Sequence, residues 1–118
     1  MSKIPALYIK QDDLQPYYYA QVTDADGDVV SIADATIYCT MKSSGGSLKI
    51  NRQTTGITIS DGGANGQFHY AWQSGDTDTV GKYYIEFEIN PGSGGKFTVP
   101  ASPNERAEVF IEPGLDAS

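Results

Sequence analysis

The sequence predicts an all-β chain folded as an antiparallel β-sandwich of about seven to nine strands. Three observations lead there. The 118 residues include 13 glycines, 6 prolines and 8 tyrosines, a mixture of turn formers and strand formers. Segments in which every second residue is apolar recur along the chain, separated by clusters of Gly, Asp, Asn, Ser or Pro. No amphipathic segment of useful length repeats at the helical spacing.

The most regular alternation lies in residues 75–89, GDTDTVGKYYIEFEI. Turn chemistry comes first, in Gly75, Asp76, Thr77, Asp78, Thr79 and Gly81. Tyr83, Ile85, Phe87 and Ile89 then fall on one side and Tyr84, Glu86 and Glu88 on the other, the pattern of a half-buried strand. Gly81, Tyr83 and Ile85 match the corner that opens the sixth strand of immunoglobulin-like sandwiches. There a tyrosine two residues ahead of a core position bonds back to the preceding turn. The fold class is therefore read as an immunoglobulin-like antiparallel β-sandwich. Residues 1–118 form one domain, long enough to bury a core and without internal repeat or boundary.

In chain order, 6–9 is a first strand with Leu7 and Ile9 inward. Residues 17–23 form the next, with Tyr18, Ala20 and Val22 inside and Tyr17, Tyr19 and Gln21 outside. Asp24 to Asp28 is a turn, because Asp-Gly favours hairpins. A short return strand at 29–32 is expected, then a strand at 36–42 with Ile37, Cys39 and Met41 inward. An edge strand at 48–51 and a piece at 57–60 follow. Residues 61–66 read as a loop with nothing to bury. Phe68, Tyr70 and Trp72 face inward from a strand at 67–72, with His69 outward. After 75–89 come a turn at 90–95, a short segment at 96–99, a loop at 100–105, a closing strand at 107–112 and a short tail at 113–118. The closing strand points Val109 and Ile111 inward and Phe110 outward.

Charge and composition narrow the function. A net charge of −7 and a pI near 4.4 repel phosphate, which argues against nucleic acid and anionic membranes as partners. A single cysteine, Cys39, allows no internal disulfide and fits folding in a reducing cytoplasm. No apolar run approaches membrane-spanning length, and the N-terminal MSKIPALYIKQDD lacks the apolar core of a signal peptide.

Residue chemistry offers little catalysis. Asp24, Asp26 and Asp28 resemble part of a calcium loop, but an EF-hand needs Gly at its sixth position and Glu at its twelfth. Here Gly27 is fourth and Ala35 twelfth, so a hairpin turn is the reading and no metal is expected. Asp76 and Asp78 read as caps on turn amides. His69 is the only histidine and has no Ser or Cys nucleophile in a recognisable arrangement. Cys39 reads as a small core residue. Glu86 and Glu88 share a strand face but suggest no cleft for glycoside chemistry. The Gly-rich segments 44–46, 62–66 and 92–95 lack the Lys-Ser/Thr of a phosphate loop. No enzymatic activity and no cofactor are expected.

The aromatic residues say more. In the standard sandwich order the 36–42, 83–89 and 107–112 strands lie side by side. Tyr38, Tyr84 and Phe110 then share one outer face, and Tyr17 and Tyr19 lie on the outer face of the other sheet. Exposed aromatics are favoured anchors of protein interfaces, and these five are the candidate interface residues.

Five further stretches accompany the 75–88 run. They are I-x-Q-x-D at 9–13, D-A-D-G at 24–27, ATIYCTMK at 35–42, FHYAW at 68–72 and the closing strand. The most specific part is W-x-x-G-D-T-D-T-x-G-x-Y-x-x-E-F-E, from Trp72 to Glu88. Together these resemble the small immunoglobulin-like domains of tailed bacteriophages and are similar to the N-terminal domain of the baseplate upper protein family. The resemblance implies a virion structural protein of a tail, baseplate or neck, present in multiple copies and docked on other virion proteins. Synthesis and assembly would be in the host cytoplasm. That family continues into a long helical or fibre region, whereas this chain stops at Ser118; a stand-alone adaptor, decoration or accessory domain is expected. The alternatives are a capsid decoration protein and a carbohydrate-binding adhesion module.

Overall fold

The structure is a computed structural model, and it describes residues 4–24, 26–91, 95–100 and 106–115. Among these are nine strands: β1 Leu7–Lys10, β2 Tyr18–Gln21, β3 Thr36–Ser43, β4 Leu48–Gln53, β5 Ile57–Ile59, β6 Gln67–Tyr70, β7 Gly81–Asn90, β8 Phe97–Val99 and β9 Ala107–Glu112. They form two sheets. The larger runs β1-β9-β7-β3-β4, with β8 also paired to β7; the smaller runs β2-β6-β5. The predicted turn at 90–95, loop at 100–105 and tail at 113–118 lie partly outside the described residues.

Period-two alternation explains which residues meet between the sheets. β7 buries Tyr83, Ile85, Phe87 and Ile89; β3 buries Ile37, Cys39 and Met41; β9 buries Ala107, Val109 and Ile111. From the smaller sheet come Tyr18, Ala20, Phe68 and Tyr70, with Val22 and Trp72 just beyond the strand ends. Phe87 sits at the centre. Its ring meets Phe68 edge-on at 4.9 Å and Tyr18 at 5.6 Å, and it has no exposed surface. Burying a side chain of this size stabilises the fold by about 1.5–3 kcal/mol.

Three expectations need correction. The sheets are not wholly antiparallel: β1 runs parallel to β9, with Leu7 opposite Val109 and Lys10 opposite Glu112. Alternation shows which way side chains point, but not the direction of a neighbouring strand. Residues 29–32 form no strand. They make one bridge, Val29 to Thr23, and are held by Val30 N–H donating to Val22 O and Ile32 N–H donating to Gly63 O. Residues 61–66 are not a loop without burial. A 3₁₀ turn at Ser60–Gly63 presses on the 29–33 segment, and Gly63 and Gly66 are buried. A Cβ on Gly63 would lie 2.6 Å from Ala33 N, and its φ of +90° also favours glycine.

Candidate interaction faces

The turn before β7 is tied down from several sides. The Tyr83 hydroxyl donates to Thr79 O at 2.8 Å, the bond-back expected of the corner. Asp76 is buried; its Oδ2 accepts from Gln73 N–H at 2.8 Å and from the Tyr70 hydroxyl at 2.5 Å. Thr77, also buried, donates to Asp13 O at 2.8 Å. Burial, then the bond to Asp76, pushes the Tyr70 hydroxyl well above its ordinary range. Burial does the same to the Cys39 thiol, with Asp76 adding to it. That thiol packs as a small core group.

With its turn anchored and one side buried, β7 must present Lys82, Tyr84, Glu86 and Glu88 outward. Register then decides what surrounds them. Tyr84 faces Lys42 on β3 and Glu108 on β9, and Tyr38 faces Glu88. Phe110 faces Lys82 on β7 and Tyr8 on β1. The three predicted aromatics thus share one face, but they form two groups. In one, Lys82 lies between Tyr84 and Phe110, 5.4 and 5.9 Å from the ring centres. Arg106 covers Tyr84 at 4.8 Å, and Tyr8 stacks on Phe110 at 4.6 Å with planes 12° apart. In the other, Arg52 covers Tyr38 at 4.3 Å and pairs with Glu88 at 2.8 Å.

Two irregularities in the β3–β4 ladder help aim the cations. Between Cys39 and Met41 the partner moves from Gln53 to Ile50, so β4 carries an extra residue there. Arg52 lies in this bulge with φ 45°, and bulges re-aim side chains. A second shift, between Met41 and Lys42, accompanies the ion pair of Lys49 with Asp78. Elsewhere Lys82 pairs with Glu108 at 2.8 Å, and Lys96 with Glu88 at 3.5 Å. Hydrogen bonds from Asn90 and Arg52 hold the Glu88 carboxyl at about 2, below its ordinary 4.5. The Glu108 carboxylate, then the Tyr84 hydroxyl, hold the Lys82 ammonium above its usual range.

These cations cap rings and leave Tyr38, Tyr84 and Phe110 half-buried. Aromatics and arginine in such contact are the composition of interface cores, and cation–π contacts add about 0.5–1 kcal/mol each at exposed sites. A shallow groove of about 430 Å³ runs beside Tyr84, with Thr40, Lys42, Glu86 and Arg106 among its walls.

On the smaller sheet Tyr17 and Tyr19 also come together, around His69. Tyr17 stacks on His69 at 5.2 Å and 7°, and Tyr19 lies 5.3 Å from it. Tyr19 is 61% exposed. Strands β2, β5 and β6 carry no Asp, Glu, Lys or Arg.

Asp24, Asp26 and Asp28 place carboxylate oxygens within 4.8 Å of one another. Asp24 Oδ1 already accepts the N–H groups of Asp26 and Asp28 at 2.9 Å each, so the cluster works as a turn. Sequence reasoning missed Tyr8, Lys42, Arg52, Lys82 and Arg106. Tyr8 was readable, because inward Leu7 and Ile9 turn it outward. The cations were not, because their places depend on pairing between distant strands. The sequence matches no protein-family model and no curated protein.

Proposed function

We propose that this protein is an immunoglobulin-like, non-enzymatic structural component of a tailed-phage virion, built into a tail, baseplate or neck by docking the outer face of its larger sheet on other virion proteins. The observation that carries the reading is the face itself. Tyr84 and Phe110 are joined through Lys82, covered by Arg106 and extended by Tyr8. Rigid aromatic anchors of this kind dominate interface energies. The immunoglobulin-like assignment draws support from the strand orders β1-β9-β7-β3-β4 and β2-β6-β5, which follow the order of variable-type domains. The Tyr83 bond to Thr79 O also supports it, since that fold places such a bond at the corner before its sixth strand. Multiple copies on a symmetric particle would let a weak contact act through avidity. The contact needs neither cofactor, nucleic acid nor membrane.

The test is incorporation. Tyr84→Ser with Phe110→Ser should leave the protein folded and prevent its recovery in purified particles. Unchanged incorporation would remove this face from the account, and absence of the wild-type protein from particles would remove the virion. Imaging labelled copies separates tail from capsid decoration. The Tyr17–His69–Tyr19 cluster, on a sheet whose strands carry no Asp, Glu, Lys or Arg, favours one second reading, adhesion to glycans, and a glycan array with the isolated protein decides it.

A further inference from the structure

In a protein whose overall charge is −7, the larger sheet's outer face carries Lys10, Lys42, Lys82 and Arg106 beside Glu86, Glu88, Glu108 and Glu112. Register sets Lys42 opposite Tyr84 and Lys82 opposite Phe110, with Glu108 also opposite Tyr84 and Glu112 opposite Lys10, and Arg106 covers the Tyr84 ring. Lys82 is committed to Glu108. Lys42 and Arg106, which flank Tyr84 across the groove, have no carboxylate within ion-pair distance among the described residues. Glu86 also lines the groove and makes no ion pair among these residues.

Acidic charge is concentrated elsewhere. Residues 11–35 and 53–81 contain no Lys or Arg. From them come Asp24, Asp26, Asp28, Asp34 and Asp61, all exposed. Backbone bonds from Ile32 to Gly63 and from Val22 to Gly66 gather their two segments at one end of the sandwich. Asp24, Asp26 and Asp28 belong to a turn closed by Asp24 N–H on Asp28 O at 2.8 Å and Gly27 N–H on Asp24 O at 3.0 Å.

We propose that the groove between Lys42 and Arg106 receives this acidic end of a second copy of the same chain. Carboxylates of the turn meet the Lys42 ammonium and the Arg106 guanidinium, with Tyr84 as the apolar floor. Donor surface and acceptor surface differ, so the contact is heterologous and a pair of copies keeps one free surface of each kind. Such contacts repeat until a rotation closes them into a ring, or run on as a filament. The inference takes from the proposed function the choice of face but not the virion.

Sedimentation velocity of the purified protein up to high micromolar concentration tests it. Wild type should self-associate, and Lys42→Ala with Arg106→Ala should weaken association about tenfold or more. Asp26→Asn with Asp28→Asn should do the same, while Asp24, which holds the turn, is left in place. All four side chains are exposed, and circular dichroism confirms that the variants fold. Mixing the two double variants should then give a complex of two chains and no larger, because each supplies the surface the other lacks. A wild type that stays monomeric, or association that survives both pairs of substitutions, overturns the proposal and leaves the face to an unlike partner. Loss without rescue on mixing overturns the heterologous pairing.

Discussion

Asp76→Ala is the substitution whose cost the structure defines best. Asp76 Oδ2 accepts two hydrogen bonds, from the Tyr70 hydroxyl and from Gln73 N–H. Tyr70 is fully buried, and its oxygen already accepts from the Gln53 amide at 3.0 Å. Removing the carboxylate therefore leaves the hydroxyl proton without an acceptor where water does not reach. An unsatisfied buried group costs about 1–3 kcal/mol. Gln73 is only half-buried and recovers part of its loss to solvent, and no longer desolvating a carboxylate offsets some of the rest. The expected net destabilisation is about 1–3 kcal/mol. Tyr70→Phe removes the same bond from the other side and should cost about 1–2 kcal/mol. The double variant should cost less than the sum by about 1 kcal/mol or more, since both changes delete one shared bond. Urea unfolding followed by Trp72 fluorescence suits the measurement, because Trp72 meets Tyr70 edge-on at 5.4 Å. An Asp76→Ala protein within about 0.5 kcal/mol of wild type, or strict additivity, would refute the reasoning.

Two further outcomes are expected. Tyr83→Phe deletes the bond to Thr79 O and should cost about 1 kcal/mol in the same unfolding assay; an unchanged midpoint would separate the corner from stability. Glu88 has a folded-state pKa of about 2 against an ordinary 4.5. Its contribution is thus present above 4.5 and lost as pH falls toward 2. Glu88→Gln should flatten the stability profile across that window, and a carboxyl resonance titrating near 4.5 in the folded wild type would contradict the assignment.

Much of the sandwich was legible in the sequence because alternation is a local property. Tyr83, Ile85, Phe87, Ile89, Ile37, Cys39, Met41, Val109 and Ile111 were read as inward and are buried. What escaped depends on pieces far apart in the chain. The parallel β1–β9 pair, the bulge that turns Arg52 over Tyr38 and the placement of Lys82 between two rings all follow from register between strands. Residues 29–32 have the apolar pattern of a strand, yet Ile32 N–H bonds Gly63 O and the segment crosses the end of the sandwich. The candidate face was half legible for the same reason. Alternation exposed Tyr38, Tyr84 and Phe110, but which rings would meet was set by the ladder.

The parallel pairing of β1 with β9 has a mechanical consequence. The two strands start together, Leu7 beside Val109, and finish together, Lys10 beside Glu112. Tension applied between Leu7 and Glu112 would draw the strands past each other along their length. Their hydrogen bonds would then share the load at once, in shear, where an antiparallel hairpin pulled at its open end would unzip one bond at a time.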